Sequence, residues 1–160
     1  MNILIRSLDQ AHKEVWKYAN IMGIVSIGRP GAEVPDGLDP DHPRHLRLEF
    51  DDVWDDPAHN FSHYTRPTED DVHTIIDAFD AMSKAPSGIY THCFAGISRS
   101  SAVAFIYHVM HCDDDDLAIK KVHTVRVQAR PNPLIVEMAD AILGRGGKMM
   151  DALDKGVRVL

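Results

Sequence analysis

The chain has 160 residues, of which 44% are hydrophobic, and its formal net charge at pH 7 is −7. This length suits one domain, and we expect residues 1–160 to form one that buries roughly two-thirds of the surface of the unfolded chain. The acidic balance argues against general binding to nucleic acid or to an anionic membrane surface, although it does not exclude an anionic small molecule at a local site.

Targeting signals are not evident in the sequence. The apolar stretch within residues 1–6 is too short for a secretory signal, and no run approaches the ~18 apolar residues of a membrane-spanning helix. The two cysteines, Cys93 and Cys112, are too few for a disulfide framework, which is typical of a reducing compartment. We therefore expect a cytoplasmic protein with no membrane partner.

The first half of the chain alternates strand and helix signals. Short apolar runs predict β-strands at residues 3–5, 23–27 and 45–50. A helix is expected over residues 10–18 with Asp9 as its N-cap, and the Gly, Pro and Asp content of residues 28–43 predicts a surface loop. After a long loop, a second helix is expected to run to about Lys84, with Thr68 as N-cap and Asp71 completing a capping box.

The second half begins with another strand signal and then becomes helical. Residues 88–90 lead into Cys93, and residues 101–110 are apolar enough to predict a largely buried helix. Residues 113–116 open a further helix, and breaks are expected at residues 130–133 and near Gly144. This alternation predicts an α/β fold in which a short, mostly parallel central sheet is flanked by helices.

The most informative motif is HCFAGISRS, residues 92–100, which places Cys93 at the end of a strand and Arg99 six residues later. Seven residues curled into a loop can aim successive backbone N–H groups at one point, and a helix that begins at Ser100 adds its positive N-terminus there. The planar fork of Arg99 can bond two oxygens of an oxyanion, and the same donors stabilise a thiolate at Cys93. The spacing alone is a weak signal, but Gly96 and the surrounding strand and helix strengthen it.

This motif resembles the signature of the cysteine-dependent protein tyrosine phosphatases, and residues 93–100 are most similar to the dual-specificity branch. Residues 45–52 resemble the strand that runs into the general-acid loop of that branch, and residues 125–133 resemble its helix end and following turn. Residues 134–160 are similar to the tail of compact bacterial relatives. The resemblance covers most of the chain and implies hydrolysis of phosphomonoesters through a covalent cysteinyl-phosphate intermediate.

The resemblance also implies a role for each residue of the motif. Cys93 would attack phosphorus, and a hydroxyl at Ser100 would stabilise the departing thiolate when water hydrolyses the intermediate. His92 would order the loop rather than transfer a proton. The residues implied to bind the phosphate group are Phe94, Ala95, Gly96, Ile97, Ser98 and Arg99.

The leaving group needs a proton, so a carboxylic acid must face the loop and later act as a base toward water. Asp52 is favoured, because the acid of the family follows a strand like residues 46–50. Asp51, Asp55 and Asp56 remain alternatives, since the segment from Asp52 to Cys93 is several residues longer than the dual-specificity spacing.

Other residues are interpreted by weighing a structural role against a functional one. Arg130 is a possible contact at the substrate rim or, more commonly, a partner of a helix C-terminus. Asn132 is expected to hold a turn. Cys112 is expected to be a small buried hydrophobe, with a redox partnership with Cys93 as the alternative.

The sequence predicts no metal and no cofactor. Histidines and aspartates are frequent in residues 39–63 and could bind a divalent ion, but they show no regular i, i+4 pair on a helix face, and a thiolate mechanism needs no metal.

The substrate class follows in part from the five loop residues between Cys93 and Arg99, which are uncharged. They favour a phosphorylated protein or a small phosphate ester over an inositol phospholipid. Whether phosphotyrosine alone enters depends on the loops at residues 28–43 and 53–66, and the lack of an identifiable stacking loop favours dual specificity. The alternatives are a weakly catalytic module that binds phosphate or phosphopeptides, and a cysteine enzyme of oxyanion or sulfur chemistry.

Overall fold

The computed structural model describes residues 2–56 and 59–158. Within them, four parallel strands form one sheet in the order β1-β4-β2-β3. The strands are β1 (Ile3–Arg6), β2 (Gly23–Gly28), β3 (His45–Glu49) and β4 (Ile89–His92). The predicted α/β fold with a short parallel sheet is therefore confirmed.

Helices cover both faces of this sheet. They are α1 (Leu8–Glu14), which continues into a short 3-10 helix (Val15–Lys17), α2 (Glu69–Met82), α3 (Arg99–Met110), α4 (Asp115–Val125), α5 (Pro133–Ile142) and α6 (Lys148–Arg158). None of these helices is long and apolar enough, over the described residues, to cross a lipid bilayer.

The core consists of two clusters, one on each face of the sheet. Ile24 and Tyr90 pack with Ala11 of α1 in the smaller cluster. Val25 and Ile89, their neighbours along the same strands, belong to the larger cluster with residues of α2, α3 and α5. This arrangement follows from the strand period of two, because successive side chains point to opposite faces.

The N-cap predicted for α2 is correct, whereas the N-cap predicted for α1 is wrong. The Thr68 side chain accepts a hydrogen bond from the backbone N–H of Asp71, and the Asp71 carboxylate accepts one from the backbone N–H of Thr68, as the capping box predicts. At α1 the predicted cap Asp9 is wrong: Ser7 is the N-cap and forms a capping box with Gln10. Because Ser7 directly follows β1, the helix starts two residues earlier than expected, and Asp9 pairs instead with Lys13.

All four strands run in the same direction, so their carboxyl ends meet at one edge of the sheet. Cys93 follows β4 there, residues 50–52 follow β3, and residues 29–32 follow β2. Loops at this edge are where open parallel sheets place ligands. The topology thus brings the nucleophile candidate and the acid candidates of the sequence to the same edge.

Candidate active site

Cys93 lies where β4 ends and the loop toward α3 begins. Its side chain is buried, with 2% of the residue exposed. The Sγ atom lies 3.2 Å from the Oγ atom of Ser100, which is itself fully buried in the first turn of α3. The structure therefore places the Ser100 hydroxyl within hydrogen-bond distance of the sulfur.

The five carbonyl groups of residues 94–98 all accept hydrogen bonds from outside the loop. Their donors, in chain order, are the backbone N–H of Leu8, the guanidinium group of Arg126 for Ala95 and Gly96, and the backbone N–H groups of Arg130 and Asn132. The N–H groups of residues 94–98 donate to no other backbone group in the described chain. With the carbonyls tied outward, these amides are available to a ligand inside the loop.

Gly96 allows the loop to approach the end of β1. Its φ is +69°, and a Cβ atom there would lie 2.5 Å from the carbonyl carbon of Arg6. A residue with a side chain would meet both the steric contact and the cost of the left-handed conformation. The predicted role of this glycine in a tight backbone matches its geometry.

Arg99 is a buried charge held beside the loop, with 5% of the residue exposed. Its Nη1 atom donates to the carbonyl oxygen of Phe50 at 2.7 Å, and its Nε atom has no hydrogen-bond partner among the described residues. No carboxylate in the described chain pairs with it. Burying an unpaired guanidinium is costly, so its placement favours an anion as the intended ligand.

His92 is fully buried behind Cys93. Burial and, to a smaller extent, the positive charge of Arg47 together lower the pKa of its imidazole to about 4. The ring is therefore neutral at physiological pH. Neither ring nitrogen has a hydrogen-bond partner of ordinary geometry among the described residues.

Two of the four candidate acids face the cleft beside this loop. Asp52 accepts hydrogen bonds on Oδ1 from the Ser98 hydroxyl at 2.6 Å and from the Asn132 amide at 2.9 Å. Asp51 accepts one from the backbone N–H of Thr65 at 2.8 Å. Both aspartates line the cleft.

The other two candidate acids are engaged elsewhere. Asp55 pairs with Arg66, and Asp56 lies 2.7 Å from a ring nitrogen of His59. Neither carboxylate lines the cleft. By location, the fold therefore leaves Asp51 and Asp52, which follow β3, as the candidates for the general acid.

Asn132 and Arg126 are contributors whose roles the sequence did not reveal. Asn132 caps α5 through the N–H of Ile135, as a turn residue would, but its amide also donates to Asp52 and to the carbonyl of Val53. Arg126 binds two loop carbonyls from the end of α4. Their position at the helix end and turn that precede α5 was the one available signal.

The cleft has a volume of about 650 Å³ and lies over the loop. It is lined by Leu8, Ile27, Gly28, Arg29, Gly31, Ala32, Glu33, Arg47, Asp51, Asp52, Tyr64, Phe94, Ala95 and Arg99. Arg130 is exposed in an adjoining pocket of about 370 Å³ with Trp54 and Ser98, and Asp52 lines both pockets. The suggested rim residue is therefore beside the main cleft rather than in it.

The second cysteine is remote from the first. Cys93 precedes α3 and Cys112 follows it, and both are free thiols. A helix of this length separates them by roughly 18 Å, which exceeds the reach of a disulfide. The described residues also contain no group of three potential metal ligands.

Comparison with known proteins finds matches in structure but not in sequence. No protein-family model and no curated protein matches this sequence. Solved structures match at the level of the fold. Human DUSP28 has 20% sequence identity and a TM-score of 0.62, over 90% of this chain and 95% of that one. The fold is that of the cysteine-dependent protein tyrosine phosphatases.

Further structures of the same phosphatase fold agree. Tk-PTP in its active form shares 17% identity with a TM-score of 0.57, over 89% of this chain and 90% of that chain. Human tyrosine phosphatase-like serine/threonine/tyrosine-interacting protein shares 20% identity with a TM-score of 0.62, over 89% and 91%. At these identities the comparison shows the phosphatase fold, and the chemistry must be argued from the site.

Proposed function

We propose that this protein is a cysteine-dependent protein tyrosine phosphatase that hydrolyses phosphomonoesters through a cysteinyl-phosphate intermediate. The observation that carries the proposal is the buried Arg99 guanidinium, which has no anionic partner in the described chain. It lies beside a loop whose carbonyl groups accept hydrogen bonds from outside the loop and whose amides donate to no other backbone group in the described chain. Such a constellation around a cysteine suits a tetrahedral dianion bound directly over a nucleophile.

In the first step, the phosphate group of the substrate lies in the loop and bonds to the amides of residues 94–98 and to Arg99. The Cys93 thiolate attacks phosphorus, a P–S bond forms, and the bond from phosphorus to the ester oxygen breaks. The departing oxygen takes a proton from Asp52. The Oδ1 atom of Asp52 is already an acceptor, so Oδ2 would carry that proton.

In the second step, a water molecule attacks the phosphocysteine while Asp52, now a carboxylate, accepts a proton from it. The P–S bond breaks, which yields inorganic phosphate and regenerates the thiolate. The Ser100 hydroxyl, 3.2 Å from the sulfur, donates to the developing negative charge on Cys93. His92 takes no proton in either step, because its imidazole is buried and neutral, and acts by packing behind Cys93.

Asp52 is assigned as the acid over Asp51 because of its direct link to the phosphate-binding loop. The Ser98 hydroxyl belongs to that loop, so its hydrogen bond fixes the carboxylate relative to the bound phosphate group. Asp51 is instead tied to Thr65 on the segment that leads to α2. Preorganised placement of this kind is what general acid catalysis needs.

The main alternative is a module that binds phosphorylated partners without turnover. One structural neighbour is named a tyrosine phosphatase-like interacting protein, so the fold alone does not separate catalysis from binding. The combination of Cys93, Ser100 and a cleft-facing Asp52 favours hydrolysis, because binding alone requires none of the three. Arsenate reduction is disfavoured, since it needs further reactive thiols and Cys112 lies at the opposite end of α3 from Cys93.

The proposal is tested with p-nitrophenyl phosphate at pH 5 to 8 in EDTA. Wild-type protein should turn over, Cys93→Ser should be inactive, and Cys112→Ser should match wild type. Asp52→Ala should lose the basic limb of the pH profile, whereas Asp51→Ala should keep it. If the wild-type protein is inert but still binds vanadate, the phosphatase proposal fails and the binding module takes its place. If Asp51→Ala alone loses the basic limb, Asp51 rather than Asp52 is the general acid.

A further inference from the structure

A second large pocket lies at the opposite edge of the sheet from the catalytic cleft. It has a volume of about 600 Å³, against about 650 Å³ for the cleft, and the two share no lining residue. Asn2 and Ser87 line this pocket and come just before β1 and β4. Because all four strands are parallel, the amino ends of the strands lie away from the edge that carries Cys93.

Much of the wall of this pocket is apolar. Ile3 and Leu4 of β1 line it together with Met22, Ile21 and Val125. The side chains of Ile21 and Val125 are open to solvent, with 42% and 36% of each residue exposed. An apolar concave surface of this size suits a ligand that carries an apolar group.

The backbone around the pocket is fixed by hydrogen bonds between segments. The N–H of Ser87 donates to the carbonyl of Ile21 at 3.0 Å, and the N–H of Ile89 donates to the carbonyl of Asn2 at 2.9 Å. The segment before β2, the turn before β4 and the start of β1 are therefore joined without a ligand. A pocket that is already formed costs little conformational entropy when a ligand binds.

The charge that lines this pocket has one sign. Lys121 of α4 is exposed and takes part in no ion pair within the described chain. No aspartate or glutamate is among the described residues that line the pocket. In a chain with a net charge of −7, this local excess of positive charge is complementary to an anion.

His108 of α3 adds a second polar group to the lining of the pocket. Its Nε2 atom is buried and has no hydrogen-bond partner among the described residues. Burial and, in smaller part, the charge of Lys121 lower the pKa of this imidazole to about 4, so the ring is neutral at physiological pH. Buried polar atoms usually have a partner, and a neutral imidazole can donate its N–H to a carboxylate.

From these features we propose that the pocket binds a small organic acid, with its carboxylate at Lys121 and His108 and its apolar body against Ile3, Leu4 and Val125. The apolar wall favours an organic acid over an inorganic anion, since an inorganic anion would leave that wall uncovered. The site is independent of the proposed phosphatase function, because it shares no residue with the catalytic cleft.

The test is a titration of isotopically labelled wild-type protein with octanoate, followed by NMR, with octanol as the uncharged probe of the same chain length. We expect octanoate to shift the backbone resonances of Asn2, Ser87 and Lys121 and to bind more tightly than octanol. Lys121→Gln should weaken octanoate binding by about twofold to fivefold, the range for an exposed ion pair, and leave octanol binding unchanged. Lys120→Gln, at the neighbouring lysine of α4 that does not line the pocket, should keep the wild-type affinity.

A second variant tests the imidazole. His108→Phe keeps an aromatic ring and removes Nε2, so it should also weaken the binding of octanoate but not of octanol. Equal affinities for octanoate and octanol, or an unchanged octanoate affinity in both variants, would overturn the carboxylate site. Resonance shifts confined to residues 94–99 would place octanoate in the catalytic loop and overturn the proposal, as would a lack of binding at millimolar concentration. None of these outcomes bears on the phosphatase proposal.

Discussion

Arg99 links two parts of the site through one side chain. One nitrogen of the guanidinium is bonded to the Phe50 carbonyl at the end of β3, while Nε has no partner among the described residues. A planar group can be anchored on one edge and present the other edge to phosphate oxygens. A lysine has a single ammonium group and cannot do both.

We therefore expect Arg99→Lys to lower kcat/KM by about a hundredfold or more, the typical loss when one oriented donor to a developing anion is removed. Steady-state kinetics with p-nitrophenyl phosphate measure this, and thermal unfolding verifies that the variant is folded. Arg44→Lys, on the amino-terminal side of β3, is the matched control and should retain activity. Near-normal turnover of Arg99→Lys would contradict the assigned phosphate contact.

Substitutions at Gly96 and Gly144 distinguish the effect of a steric contact from the effect of backbone strain. Both have positive φ, but a Cβ atom at Gly96 would lie 2.5 Å from Arg6, whereas a Cβ atom at Gly144 meets nothing within 4 Å. We expect Gly144→Ala to cost about 1 kcal/mol of unfolding free energy through strain alone and to keep activity. Gly96→Ala should cost more and should also abolish turnover, because the loop must move away from β1.

Urea unfolding and kcat/KM, measured on both glycine variants, check this. Equal stability losses with equal activities would show that the close approach of the loop to β1 is unimportant.

At the scale of elements, Asn132 joins three segments that are distant in sequence. Its backbone N–H bonds to the carbonyl of Ser98 in the phosphate-binding loop, and its side chain bonds to Asp52 and Val53 after β3 while capping α5. The residue is fully buried, so an alanine there would leave the Val53 carbonyl and the first-turn amide of α5 without a partner.

Thr68 is a suitable comparison, because it caps α2 in an exposed position and touches no site residue. Thr68→Ala should lower the unfolding free energy by about 1 kcal/mol, and Asn132→Ala by about 2 to 3 kcal/mol. Only Asn132→Ala should also lower kcat, since Asp52 loses one of its two donors. Urea unfolding with parallel kinetics measures both effects, and a purely structural role would leave the kcat of the folded Asn132→Ala protein unchanged.

At the scale of the whole molecule, buried neutral histidines make stability depend on pH. Burial is the main reason that the pKa of His92 falls from an ordinary value of 6.5 to about 4. The pKa of His108 is also lowered to about 4, mainly by burial and in smaller part by the charge of Lys121. Between these two pH values the unfolded chain binds more protons than the folded one. Acidification from pH 6.5 toward 4 therefore destabilises the fold, and the stability is fully present above pH 6.5.

For His92 alone, the loss between pH 7.5 and pH 5 is about 2 kcal/mol. Urea unfolding at both pH values should show that His92→Asn loses less stability on acidification than wild type does. The exposed His63, replaced by Gln, is the control and should behave as wild type. An identical pH dependence in His92→Asn would show that this imidazole is not kept neutral by burial.

Much of the architecture follows from local signals in the sequence. Period-two apolar runs predicted the strands, and the Thr68 capping box and the turn at residues 130–133 marked helix boundaries correctly. At α1 the sequence offers two N-cap candidates, Ser7 and Asp9, and the prediction chose Asp9 although Ser7 forms a capping box with Gln10. Local patterns suffice here because caps and periodicity depend on residues a few positions apart.

For the site, the sequence by itself determined the loop from Cys93 to Ser100, because nucleophile, glycine, arginine and helix start lie within eight residues. Tertiary structure decided which aspartates reach that loop and which residues hold it. Asp52 and Asn132 are 80 residues apart in sequence, and the Arg126 guanidinium reaches back 30 residues to Gly96. Such contacts depend on how the parallel sheet and its helices pack, and no local pattern of residues carries that information.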